Sequence, residues 1–122
     1  MSYDFSSIKL LLVEDNPAMM ALTKSLLTSF GIGRIFTALD TDRAFELLKQ
    51  ENPDIIVTDW MMKSEDGISF TKKVRNSAAS PNHFIPILMM TGFSEMERVI
   101  KARDTGVTEF LVKPFTARDL YK

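Results

Sequence analysis

Residues 55–67 read "IIVTDWMMKSEDG". An apolar run, Ile55-Ile56-Val57, gives way to a carboxylate, Asp59, and three large apolar residues, Trp60, Met61 and Met62, then lead into a polar stretch that closes on Gly67. A short, continuous apolar run suits a strand covered on both faces, as strands of a parallel sheet are. Such a strand can end in an acid for two reasons. Either the acid opens an ordinary loop, or the strand carries it to a working site.

The flanking sequence repeats the pattern. "IKLLLV" (8–13), "RIFTA" (34–38), "PILMMT" (86–91) and "EFLV" (109–112) are further short apolar runs. Helical stretches separate them. Asn16 can cap a helix and Pro17 suits its first position. Met19, Leu22, Thr23, Leu26, Leu27 and Phe30 then fall on one helical face, and Gly31 and Gly33 end it. "DTDRAFELLKQE" reads as a helix with Ala44, Phe45, Leu47 and Leu48 inward, closed by Asn52-Pro53. Gly67 to Arg75 offers another, with Ile68, Thr71, Val74 and Arg75 on one side, before a loop, "NSAASPNHF". Ser94 and Glu97 match a capping box ahead of Met96, Val99 and Ile100, and "TARD" (116–119) opens a last helix that has barely begun at Lys122. Strands alternating with helices predict an α/β fold: a (βα)5, doubly wound, five-stranded parallel sheet with right-handed crossovers and a truncated last helix.

Bulk properties narrow the function. The chain has 122 residues, 45% hydrophobic and 25% charged, which fits one globular domain spanning residues 1–122. A net charge of −1 supplies no basic field, so these residues are not expected to bind nucleic acid directly. No apolar run is long enough to span a membrane, and "MSYDFSSIKLLLV" lacks the basic start and cleavage site of a signal peptide. A cytoplasmic location is the expectation. Absence of Cys removes a disulfide framework and thiolate chemistry, and a single His, His83, leaves little for a His-based metal site. Eight Met residues fall mostly in apolar runs or on helix faces, where they serve packing.

Four of the five strands run into chemistry-bearing residues. The first ends at Glu14-Asp15, the third at Asp59, the fourth at Thr91 and the fifth at Lys113. In open α/β sheets, ligands bind in the crevice beyond the carboxyl ends of the strands. Three carboxylates gathered there repel one another, and a hard divalent cation relieves the repulsion. Mg²⁺ suits this set, since it takes a few carboxylate and carbonyl oxygens and keeps waters or phosphate oxygens. Asp15 and Asp59 are candidate direct ligands, Glu14 a ligand through water, and the Met61 carbonyl a further oxygen. Lys113 can pair with Asp59 and with a phosphoryl oxygen upon it, Thr91 can donate its hydroxyl to the same oxygen, and Asp59 can act as nucleophile to form an acyl phosphate. Taken singly, each has an ordinary alternative: loop acid, surface Lys, capping Thr.

Together, "LLLVEDNP", "IIVTDWMMKSEDG", "PILMMTG" and "EFLVKPF", in that order, resemble the CheY-like receiver domain of two-component response regulators over nearly the full chain. The resemblance implies a flavodoxin-like strand order 2-1-3-4-5. It implies phosphorelay signal transduction, in which Asp59 accepts a phosphoryl group from a phosphohistidine of a sensor histidine kinase or phosphotransfer protein. Mg²⁺ would be held by Glu14, Asp15, Asp59 and the Met61 carbonyl. Lys113 would neutralise the phosphoryl oxygen, Thr91 would move toward it, and Phe110 would be the aromatic that reports the switch. Lys113-Pro114 would be a cis peptide. The chain would be a phosphoacceptor switch rather than an enzyme, its output a downstream protein target or a domain beyond Lys122.

Departures from the family pattern bear on the chemistry. Lys63 stands where the family usually has Pro, and Glu65 where it usually has Met. Met61 and Phe93 flank the path of an attacking water in this family, and neither can orient one, which predicts slow self-dephosphorylation. The helix begun at Thr116 is too short to cover its side of the sheet, so the chain is expected to continue past Lys122 or to be covered by a second chain. Three rivals are weaker. A haloacid-dehalogenase-type phosphatase needs a second Asp at position 61, which is Met. A flavodoxin-like cofactor binder needs a phosphate cradle rich in Gly, Ser and Thr. A degenerate receiver, acting as a phosphorylation-independent interaction module, would not need the full acid, Thr and Lys set.

Overall fold

Alternation along each strand divides the core between two faces of one sheet. The computed structural model describes residues 5–59, 67–92 and 109–113, with 91–92 and 109–113 described at the level of the backbone. The elements run β1 (Lys9–Val13), α1 (Pro17–Ser29), β2 (Arg34–Ala38), α2 (Thr41–Glu51), β3 (Ile55–Asp59), α3 (Gly67–Asn76), β4 (Ile87–Gly92) and β5 (Glu109–Lys113). All adjacent strands pair parallel, in the order β2-β1-β3-β4-β5. This is the expected doubly wound topology. The anticipated helices at Ser94 and Thr116, the loop with Met61, Lys63 and Glu65, and the residues Phe93 and Pro114 lie outside the described residues.

Leu11, Val13, Ile56 and Ile87 project to one face and pack with Ala44, Phe45, Leu47 and Leu48 of α2 and Phe70 and Val74 of α3. Leu10, Leu12, Val57 and Met90 project to the other, against Met20 and Leu27 of α1. With both faces covered, Leu10–Val13 of β1, Ile55–Val57 of β3 and Ile87–Met90 of β4 are all apolar, which explains why these stretches read as unbroken apolar runs.

Local chemistry sets the helix ends. The Asn16 side chain accepts the Met19 N–H at 3.0 Å, and Pro17 opens α1. Asp40 caps α2 by accepting the Arg43 N–H at 2.8 Å. At its other end Asn52 adopts the left-handed conformation, φ 48°, which Asn tolerates better than most residues, and Pro53 prevents continuation.

Two expected faces differ from the observed ones. In α1 the sheet takes the arc of Met20, Thr23 and Leu27, while Leu22 is 65% exposed. Apolar side chains cover more than half of this helix's circumference, so periodicity alone allowed a rotated choice. In α3 the buried side includes Phe70, 0% exposed, and Ile68 is only half-buried. Arg75 faces inward only in part. Its guanidinium donates to the His83 carbonyl at 3.1 Å and to the Ile85 carbonyl at 2.6 Å, clasping the loop that leads into β4. Burial pulls its pKa below the ordinary Arg value. The His83 ring nitrogen Nε2 closes the same loop against the Ser77 carbonyl at 2.8 Å. Between α2 and α3, the Lys49 and Lys73 ammoniums both lie 5.4 Å from the centre of the Phe45 ring.

The amino-terminal edge of the sheet is closely packed. Gly33 and Arg34 donate to the Phe5 and Ile8 carbonyls at 3.0 and 3.2 Å. A Cβ on Gly33 would overlap the Ser6 carbonyl, so glycine is required there by space. Lys9 donates its N–H to Asp54 Oδ2 at 2.9 Å and its ammonium to the Glu51 carbonyl at 2.7 Å, tying β1 to the end of α2 and the start of β3.

Candidate functional site

Register brings the strand ends level. Val13 pairs with Thr58, so Glu14 and Asp59, each one residue further, emerge together at the carboxyl edge of β1 and β3. The Glu14 N–H donates to the Ala38 carbonyl at 3.1 Å, which holds the end of β1 beside β2. Glu14 is 1% and Asp59 4% exposed, and Asp15 is half-buried. One carboxylate oxygen from each of the three lies within 4.8 Å of those of the other two. Three potential charges that close, two of them shielded from water, form a donor set suited to a hard divalent cation. Among the described residues no other group of three or more His, Cys, Asp or Glu gathers in this way.

The other expected residues are placed by backbone. Asp59 pairs with Met90, so Thr91 follows immediately on the neighbouring strand. Thr91 pairs with Val112 and Gly92 with Lys113, which puts Lys113 at the same edge one strand further on. Phe110 pairs with Met89, deeper in the sheet. Met61 lies outside the described residues. The structure thus brings Glu14, Asp15 and Asp59 together by side chain, and Thr91 and Lys113 to the same edge by register.

One contact was not visible in the sequence. The Asn16 N–H donates to Glu14 Oε1 at 3.1 Å. In the sequence Asn16 is legible only as a helix cap. The order acid-acid-Asn-Pro was the available signal, but a backbone donor leaves no mark in side-chain identity.

This fold and edge are those of a doubly wound α/β domain with a carboxylate cluster at its carboxyl edge. The chain belongs to the response regulator receiver domain family, whose model matches residues 10–122. It is 36% identical over 114 residues to the chemotaxis protein CheY-3 of Vibrio cholerae, covering 93% of this chain and 86% of that protein. It is 35% identical over 113 residues to the chemotaxis protein CheY of Pseudomonas aeruginosa, covering 93% and 90%. A high-resolution structure of the chemotaxis response regulator CheY4 of Vibrio cholerae superposes with a TM-score of 0.80 at 30% identity, covering 93% of this chain and 92% of that one. Family membership assigns the chain to two-component phosphorelay signalling, as a phosphoacceptor switch and not a conventional enzyme. Among the described residues no helix is long and apolar enough to cross a membrane.

Proposed function

We propose that the chain is a single receiver domain in which Asp59 accepts a phosphoryl group in a magnesium-dependent reaction from a phosphohistidine of a sensor histidine kinase or phosphotransfer protein. The observation that carries this reading is the gathering of Glu14, Asp15 and Asp59 within 4.8 Å at the carboxyl edge of the sheet. Asp15 and Asp59 would hold Mg²⁺ directly, Glu14 through water, with the Met61 carbonyl as a further oxygen. When bound, the ion offsets the charge of the acids and of the incoming phosphoryl oxygens.

A carboxylate oxygen of Asp59 attacks phosphorus. The bond from phosphorus to the donor imidazole nitrogen breaks, and the imidazole leaves with the bonding pair. Lys113 pairs with a phosphoryl oxygen of the acyl phosphate and Thr91 donates its hydroxyl to the same oxygen. Each gains the phosphoryl oxygen as a partner on phosphorylation, so the loops after β4 and β5 shift, Phe110 reports the change, and a protein-binding face is altered. The output is a downstream protein or a further domain.

Incubation with acetyl phosphate, with and without Mg²⁺, followed by intact-mass measurement, tests this. One phosphoryl adduct is expected in wild type with Mg²⁺ and none in Asp59→Asn. An adduct that survives Asp59→Asn, or the lack of any adduct, would refute it. Met61 and Phe93 offer no group to orient a water, so the adduct should decay slowly in Mg²⁺. Decay within seconds would contradict that part of the reading.

A further inference from the structure

We infer that Asn16 is a positioning residue that holds Glu14 toward the divalent-ion site and couples ion binding to the first turn of α1. The inference rests on the magnesium reading above. Asn16 is held from several directions. Pro17 restricts the residue before it to extended backbone, and Asn16 lies there, φ −90° and ψ 115°. Its side-chain oxygen accepts the Met19 N–H at 3.0 Å, and its carbonyl accepts the Met20 N–H at 2.8 Å. Its own N–H is thereby fixed in direction, and it points back at Glu14 Oε1, 3.1 Å away.

A Glu side chain has one more rotatable bond than an Asp. At the first acidic position it needs a restraint if its carboxylate is to stay with Asp15 and Asp59. A backbone N–H to a carboxylate is a charge-assisted, directional bond and supplies that restraint. One oxygen of Glu14 is thus engaged by the chain's own backbone, and the group is oriented within a shielded setting at 1% exposure. The coupling runs both ways. An opened cap releases the Asn16 N–H and loosens Glu14, so an ion that favours the held carboxylate must also favour the closed cap.

The test combines calorimetric titration of Mg²⁺ with amide hydrogen exchange. Asn16→Ala should bind Mg²⁺ about tenfold more weakly, the low end of what groups supporting metal ligands contribute. Asn16→Ser restores a capping oxygen and should bind within about twofold of wild type. In the wild-type protein, Mg²⁺ should slow exchange of the Met19 and Met20 amides while leaving the Thr28 and Ser29 amides, at the far end of the helix, unchanged. Wild-type affinity in Asn16→Ala, or equal protection at both ends of α1, would overturn the coupling while leaving the magnesium reading intact. If the alanine variant is too unstable to titrate, exchange in the wild-type protein decides alone. Failure of wild type to bind Mg²⁺ would remove the magnesium reading and this inference with it.

Discussion

The two edges of the sheet handle charge in opposite ways. At the amino-terminal edge, polar groups meet partners that complement them: Lys9 bonds Asp54 and the Glu51 carbonyl, and Arg75 bonds the carbonyls of His83 and Ile85. At the carboxyl edge, three groups of the same sign approach within 4.8 Å, two of them buried. One edge is arranged for the stability of the empty domain. The other crowds three carboxylates together, a cost that a bound divalent cation would offset. Stability and chemistry are therefore separable by position, and substitutions at each edge should read out differently.

The largest expected effect breaks the chemistry alone. Asp59→Asn should abolish the phosphoryl adduct, yet raise stability without Mg²⁺ by about 1 kcal/mol, because it removes one of three neighbouring charges. Urea unfolding with and without Mg²⁺ measures this, and a variant less stable than wild type would count against the crowding argument. Next comes the opposite edge. Gly33→Ala should cost about 3 kcal/mol, since its Cβ must displace the Ser6 backbone. Molecules that remain folded should accept phosphoryl groups at the wild-type rate, and a slowed rate would blur the division between edges. Met20→Ala should cost about 2–3 kcal/mol for a buried methionine. Arg75→Met should cost about 2 kcal/mol, because the buried Ile85 loses a donor to its carbonyl. Leu22→Ser lies at the small end, within about 0.5 kcal/mol, as an exposed position allows. A large loss at Leu22 with little at Met20 would reverse the orientation of α1.

Much of this was legible in the sequence because each strand carries a short apolar run bounded by polar residues. β2 and β3 match their expected limits, and β1, β4 and β5 differ only at their ends. The strand-end position of Glu14, Asp15, Asp59, Thr91 and Lys113 was legible for the same reason, since a strand's last residue is fixed once its apolar run is found. Helix orientation was less so. In α1, apolar residues exceed what one face can bury, and only the sheet selects Met20 over Leu22. In α3, the stripe of Ile68, Thr71 and Val74 satisfies the same period from a neighbouring angle, so periodicity alone does not single out Phe70. The bond from the Asn16 N–H to Glu14 was beyond reach, because every residue but proline carries that donor and only three-dimensional placement gives it a role.

The clasp on the loop before β4 has a practical consequence for engineering. Arg75 and the His83 ring grip the two ends of the segment, and Ala78 and Ala79 between them are exposed. Lengthening a loop whose ends are already held adds little closure entropy. A reporter peptide or labelling tag spliced between those alanines would hang from the edge farthest from Asp59, leaving the path of β4 toward the site as it is.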